Sequence, residues 1–370
     1  MIVRFCSHPS PHAWTPARIS KTTHKSSSRT AQQPTIDISS RYTAMTLTTS
    51  DFVLPRSGGP PRASKSPIPG PSEAAFTEAF GALLPPAKFL KTSNGKSAYY
   101  EIPPFPPGHS SETPDRVLFI HGVQTPAIGM LPLAHALHSS FSHAHFALFD
   151  LWGHGLSDTP VLPYDASLFH QLLDALLNHL QWPSAHLVGY SFGASLSVGY
   201  AASRSSRVQS FTLVAPGGLI RSSLFTPKEQ AHLRNGCDEV AARKWVLQFL
   251  EDGELVVPAD SKERIGRGEV IAEAVRDWQM RVHPGHPASV VAVFRDGGAL
   301  DNHAGFARAL HTGIPSLVVL GEKDDLCSEQ ELREFGFEKV FVVPQAGHGV
   351  IRERVPEVAE LISNFWTKLG

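Results

Sequence analysis

Ser191 stands in Gly189-Tyr190-Ser191-Phe192-Gly193, directly after the apolar run His186 to Tyr190 and ahead of the small-residue stretch Ala194 to Ala202. A serine hydroxyl is a weak nucleophile until it is presented and relieved of its proton. A strained turn from strand to helix presents it, and glycines on both sides remove the Cβ clashes that such a turn would create. The pentapeptide alone arises often by chance. The strand before it and the helix after it supply the context that the chemistry requires, so Ser191 is expected to be a nucleophile.

Such a serine needs a base, and the base needs a carboxylate to orient it. The chain has 19 histidines. His348, in Ala346-Gly347-His348-Gly349, is the expected base because it follows the run Val340 to Val343 and precedes the last helical pattern, which separates it from His303 and His311. Asp324, in Gly321-Glu322-Lys323-Asp324 after the run Ser316 to Leu320, is the expected orienting carboxylate, and Asp325 and Glu322 are neighbours able to take its place. Attack on a carbonyl also needs N–H donors aimed at the oxyanion, each contributing on the order of 3 kcal/mol. The amide of Phe192 is one candidate, and that of Val123 in His121-Gly122-Val123-Gln124 is the other. His121 is expected to brace this loop. The stretch Asp150 to Asp158, with glycines at turn spacing, lacks the phosphate-binding pattern and has too few metal ligands, so it reads as a structural loop.

The elements that must position these residues follow from texture. From Ala87 onward short β-branched and apolar runs alternate with helical patterns, as in a parallel sheet wound with crossover helices. Strands are expected at 87–91, 97–102, 117–121, 145–150, 186–190, 211–215, 316–320 and 340–343. Asn94-Gly95 reads as a hairpin turn, so the sheet should open with an antiparallel edge. Leu168, Leu172, Leu173, Leu176, Leu177 and Leu180 recur at helical spacing, as do Val355, Val358, Leu361, Ile362 and Phe365; both sets are core. Between Ala215 and Ser316 lie about a hundred residues without a strand signal, too many for a structureless loop. Residues 219–312 therefore read as a helical cap between two pieces of core, 85–218 and 313–370. Trp245, Trp278, Phe249 and Leu250 are its pocket candidates, beside Gly122, Gln124 and Tyr190 from the core.

Composition narrows the partners. The 370-residue chain has a formal net charge of −1, which favours a small-molecule substrate over nucleic acid or an anionic membrane surface. No run of about 18 apolar residues exists to span a bilayer, leaving peripheral membrane contact at most. Cys6, Cys237 and Cys327 lie far apart, implying neither a disulfide framework nor a zinc site, and fitting a reducing, cytoplasmic setting. The first seventy or so residues set Arg4, Arg18, Lys21, Lys25, Arg29 and Arg41 against Asp37 in a Ser-, Thr- and Pro-rich background. That composition is expected to be disordered, or to precede a true start at Met45; it also describes a mitochondrial transit peptide. Arg56 to Pro71 reads as a linker.

Taken in order, H-G after the third strand, D-L-W-G-H-G-L-S-D after the fourth, G-Y-S-F-G after the fifth, G-E-K-D after the seventh and A-G-H before the last helix resemble the α/β-hydrolase superfamily. The branch is that of monoacylglycerol lipases, meta-cleavage-product hydrolases and haloperoxidase-like enzymes. The resemblance covers about residues 85–370 and rests on five ordered motifs. It implies an α/β fold: an eight-stranded, mostly parallel sheet with helices on both faces, a helical cap after the sixth strand, no metal and no organic cofactor. It also implies the triad Ser191, Asp324 and His348, with oxyanion amides at Val123 and Phe192. Many members follow the elbow with a further glycine, where this chain has Ala194, which is small enough to keep the helix close to the strand. Relatives that cleave epoxides or carbon–halogen bonds use aspartate at the elbow, which Ser191 disfavours. The expected reaction is acyl transfer to water from a carboxylic ester with an apolar part. The same triad also serves carbon–carbon hydrolysis of vinylogous diketones, and the fold serves ligand receptors whose triad is usually broken.

Overall fold

Most strands form because their residues are apolar in runs short enough to cross one layer, whereas the first two mix polar and apolar residues toward the sheet edge. They are β1 (Lys88–Thr92), β2 (Gly95–Ile102), β3 (Arg116–Ile120), β4 (His145–Phe149), β5 (Ala185–Tyr190), β6 (Val208–Val214), β7 (Ser316–Gly321) and β8 (Val340–Val343). In the computed structural model, residues 52–59, 65–107, 112–251 and 253–369 are described, all within the unit Thr48–Gly370. The expectations for the basic N-terminal stretch and for Met45 lie outside the described residues.

The eight strands make one sheet in the order β1-β2-β4-β3-β5-β6-β7-β8. β1 pairs antiparallel with β2 through a turn at Ser93-Asn94, one residue before the expected Asn94-Gly95, and β2 pairs antiparallel with β4; every later pairing is parallel. Parallel pairing puts the carboxyl ends of β3 to β8 at one rim, where their loops meet. Every residue of β5 is buried, as befits a strand covered on both faces. Leu172 and Leu176 of helix Ala166–His179 pack on one face of the sheet with Phe192 and Leu196, while Leu133 and Leu137 pack on the other with Ile362 and Trp366. β6 begins at Val208 rather than at 211. Its polar Gln209 and Ser210 hide the start, but Ser210 Oγ meets buried His186 Nδ1 at 2.8 Å and so pays no desolvation penalty.

Among the described residues six α-helices lie between β6 and β7: Pro227–Leu233, Glu239–Glu251, Ser261–Gly266, Ala272–Val282, His286–Asp296 and His303–Leu310. The last differs in role from the cap in which 219–312 places it. Phe306 and Ala309 join the core cluster, and Asn302 Nδ2 donates to Ser195 Oγ at 2.8 Å. It is therefore the crossover helix into β7. Ile220 and Leu300 form a parallel bridge where the chain leaves and re-enters the core layer. The segment between β6 and β7 has its own apolar centre in Val246, Val290, Val291, Phe294 and Leu300.

The described part of the supposed N-terminal extension and linker is tied to this body. Leu54 is buried, Ile68 bridges Thr159, and Ser72 caps a helix at Glu73–Phe80. Arg56 makes a two-pronged contact with Asp296, Nε to Oδ2 at 2.8 Å and Nη2 to Oδ1 at 2.6 Å, and Nη1 donates to the Leu233 carbonyl. Arg243 reaches the Phe52 carbonyl. One apolar anchor and one guanidinium fork order a segment whose average composition argues for disorder. Arg56→Ala should lower unfolding free energy by about 1–3 kcal/mol, read by urea denaturation; an unchanged midpoint would show that these contacts do not hold in solution.

Candidate active site

The strand-to-helix turn is built as the motif requires. Ser191 has φ 53° and ψ −117°, a left-handed backbone that its neighbours over-determine. Its N–H donates to the Val214 carbonyl at 3.0 Å, and its own carbonyl accepts from Ala194 and from Gly217, the latter at 2.9 Å. A Cβ on Gly193 would collide with the Ile120 carbonyl oxygen, so only glycine lets the helix start against β3.

Three side chains from separate loops then meet. Ser191 Oγ lies 2.9 Å from His348 Nε2, and His348 Nδ1 lies 2.9 Å from Asp324 Oδ2. With Nδ1 donating to the carboxylate, Nε2 is left to accept the serine proton. Asp324 has a side chain only 1% exposed, and its Oδ1 accepts from the Leu326 amide. Neither neighbour takes this place: Asp325 is exposed, and Glu322 is occupied by the Gln345 amide at 2.8 Å. Tyr190 donates through its hydroxyl to the His348 carbonyl at 3.1 Å and so fixes the histidine loop.

The hydroxyl opens into a cavity of about 840 Å³. Val123 and Phe192 border it, and among the described residues neither amide hydrogen is used in another hydrogen bond. Trp245, Phe249, Leu250 and Phe294, from the helices between β6 and β7, form an apolar wall; Gln124, Tyr190, Arg276 and Arg352 also line it. Two expected pocket residues sit elsewhere. Trp278 is buried against Phe76 and Phe80, with ring centroids 5.5 and 5.7 Å away, because helix Ala272–Val282 turns that face onto the N-terminal helix. Gly122 lies behind Ser191 rather than on the cavity wall: a Cβ there would approach Ser191 Cβ to 2.8 Å. Gln124 faces the cavity, but its Nε2 is held by Glu251 at 2.8 Å, which in turn pairs with Arg276 at 3.0 Å.

Behind the site the helices between β6 and β7 share a buried polar layer with the loops after β3 and β4. Gln279, fully buried on helix Ala272–Val282, donates through Nε2 to the Gln124 carbonyl and accepts the Gly155 N–H at 2.7 Å. His121 accepts the Leu151 N–H on Nε2 and donates from Nδ1 to the Gly122 carbonyl, bracing the loop as its position suggests. His154 accepts the Gln124 N–H, His286 bonds the Gly153 carbonyl and His283 the Ser157 carbonyl. Asp150 accepts from the Tyr100 hydroxyl and the Ala127 and Leu156 amides, so the 150–158 stretch is a pinned loop. Burial pushes His121 and His283 down to about 4, His286 to about 3 and His154 well below its usual value, while burial raises Asp150 to about 6. Gln279, Arg276 and Arg352 carry no sequence signal, because which side of a cap or loop helix faces inward is decided by packing.

The profile described as alpha/beta hydrolase fold matches residues 115–354, and the chain belongs to that family. It is 28% identical over 224 residues to the dihydrolipoyllysine-residue acetyltransferase component of an acetoin cleaving system from Pseudomonas putida, across 59% of this chain and 55% of that protein. The chain thus spans about half the length of that relative. Among solved structures, the enol-lactonase from Burkholderia xenovorans aligns with a TM-score of 0.56 at 19% identity, covering 76% of this chain and 100% of that one. A thermophilic esterase from Thermogutta terrifontis aligns with a TM-score of 0.55 at 17% identity, covering 77% and 99%. At such identities the likeness is one of fold. Among the described residues, no group of three or more His, Cys, Asp or Glu could hold a metal ion, and no helix is long and apolar enough to cross a membrane.

The buried histidines make acid the expected weak point. Unfolded, each takes up a proton as pH falls through about 6.5; folded, they resist. Their contribution is complete above about pH 6.5 and is lost as pH falls toward 4, at up to about 1.4 kcal/mol per pH unit for each suppressed histidine. Asp150 acts with the opposite sign, stabilising below its ordinary value and losing that as pH rises through about 6, but it is one group against several. The urea midpoint should therefore drop steeply between pH 6.5 and 4; a flat profile would mean that these rings protonate in place.

Proposed function

We propose that this chain is a serine hydrolase that cleaves carboxylic esters of small to medium substrates with apolar parts through an acyl-serine intermediate. The observation that carries the reading is the continuous hydrogen-bonded chain Ser191–His348–Asp324 opening on a partly apolar cavity. As Ser191 Oγ attacks the ester carbonyl, His348 Nε2 takes its proton, and Asp324 holds the ring in that tautomer and stabilises the imidazolium. The oxyanion forms against the Val123 and Phe192 amides. Collapse expels the alcohol, which takes the proton from His348, and leaves the acyl group on Oγ. Water, deprotonated by the same nitrogen, then attacks the acyl carbon, and the acid leaves as Oγ recovers its proton. Gln124, Tyr190 and Trp245 contact the substrate in this reading, and no metal or organic cofactor enters any step.

Two outcomes follow. Ser191→Ala should cut kcat by a factor on the order of 10⁶ and abolish labelling by a fluorophosphonate, with the melting temperature unchanged; a variant keeping a tenth of the activity would refute the assignment. Gly122→Ala, by forcing a Cβ against Ser191, should shift the Val123 amide and lower kcat by about 10- to 1000-fold on p-nitrophenyl butyrate. An unaltered kcat would remove that amide from the reaction.

A further inference from the structure

The two arginines that line the cavity beside Ser191 are not equivalent. Arg276 is met by charge: its Nη2 lies 3.0 Å from Glu251 and 3.5 Å from Glu273. Arg352 is not. Among the described residues no carboxylate pairs with its guanidinium, its Nη1 is buried without a hydrogen-bond partner, and its Nη2 makes one long contact, 3.5 Å, with the Tyr190 hydroxyl. The group lies 5.2 Å over the Tyr190 ring. A guanidinium cannot shed its proton and offers five donors in a planar fork. Holding one half-buried without a counter-charge is unfavourable unless something outside the chain supplies the charge.

Its place is specific. Arg352 sits on the short helix Val350–Glu353 that directly follows the His348 loop, and it borders the same cavity as Ser191 and His348. Tyr190, next to the nucleophile, joins the two: its hydroxyl donates to the His348 carbonyl and receives Arg352. The cation is thus one side chain away from the acyl-transfer centre.

Resting on the ester-hydrolase reading, we propose that Arg352 is a specificity residue that binds a carboxylate carried by the substrate, so that the preferred esters are anionic, with a short spacer between the carboxylate and the scissile carbonyl. A singly charged, planar carboxylate matches one guanidinium fork. A phosphate dianion would need a second free cation, yet Arg276 is already committed to Glu251 and Glu273, and Asp325 and Glu229 on the cavity wall would repel added charge.

The test uses the full chain and matched aryl esters: p-nitrophenyl half-esters of succinate, glutarate and adipate against neutral p-nitrophenyl butyrate, valerate and hexanoate. The wild type should favour at least one half-ester by about 10-fold or more in kcat/KM at low salt, and by less in about 0.5 M salt. Arg352→Gln should lower that anionic-to-neutral ratio by about 10- to 100-fold, chiefly through KM, and Arg352→Lys should give an intermediate ratio. A brace for Tyr190 would move both ester series alike, so an equal loss on both overturns the proposal. If Arg352→Gln does not fold, the wild-type ratio and competitive inhibition by glutarate decide, and a ratio of one or less overturns it. A wild type that cleaves neutral esters but not half-esters sinks the carboxylate site alone. One that neither reacts with a fluorophosphonate nor cleaves any ester sinks the hydrolase reading with it.

Discussion

The backbone of Ser191 is held in a left-handed conformation that an L-residue does not choose, at the point where β5 turns directly into helix Phe192–Ser203. That turn exists only because the helix can start in contact with β3, through the glycine at 193, and because the loop carrying Gly122 can press against the serine from the other side. The strain is stored by the sheet: Val214 on one neighbour anchors the Ser191 amide, and Gly217 anchors its carbonyl. Strand order puts β3 and β6 on either side of β5, so the three loops that form the turn's surroundings arrive at the same rim without long excursions.

A second feature of the architecture is how wet chemistry is kept beside a dry interior. The layer between cap and core holds histidines, a glutamine and Asp150, most with a partner and all but closed to water. Among the described residues some ring nitrogens, such as His286 Nε2 and His283 Nδ1, have no partner, and burial keeps these rings neutral and makes the layer sensitive to acid. The gain is geometric: the histidine and glutamine bonds in it terminate on backbone groups of the 121–125 or 150–158 turns, so the loops next to Ser191 are fixed from behind.

Much of this was legible in the chain because the signals were local. Strand positions follow from short apolar runs, and Ser191, Asp324 and His348 each sit just past the end of one, where the parallel topology gathers them. What was not legible depends on which way a helix faces. Trp278 looks like a pocket residue in an insertion between layers, yet the adjacent Arg276 reaches the cavity while the tryptophan packs on Phe76 and Phe80. The helix His303–Leu310 has an ordinary amphipathic pattern, which says that it covers something but not that the something is Phe192–Ser203. The segment around Arg56 fails for another reason: its composition is that of a linker, and its order comes from the few long-range contacts of Leu54 and Arg56.

The glutamine at 279 also says how the chamber can admit a guest. Pulling helix Ala272–Val282 outward would strand the Gly155 N–H and the Gln124 carbonyl in a dry interior, a penalty on the order of 1–3 kcal/mol for each, so the covering layer is no shutter that swings as one piece. Helix Pro227–Leu233 is tied differently: none of its residues is buried, its Leu233 carbonyl accepts from Arg56 Nη1, and its Glu229 borders the chamber. The inner beam of the insertion stays mortared to the turns that frame Ser191.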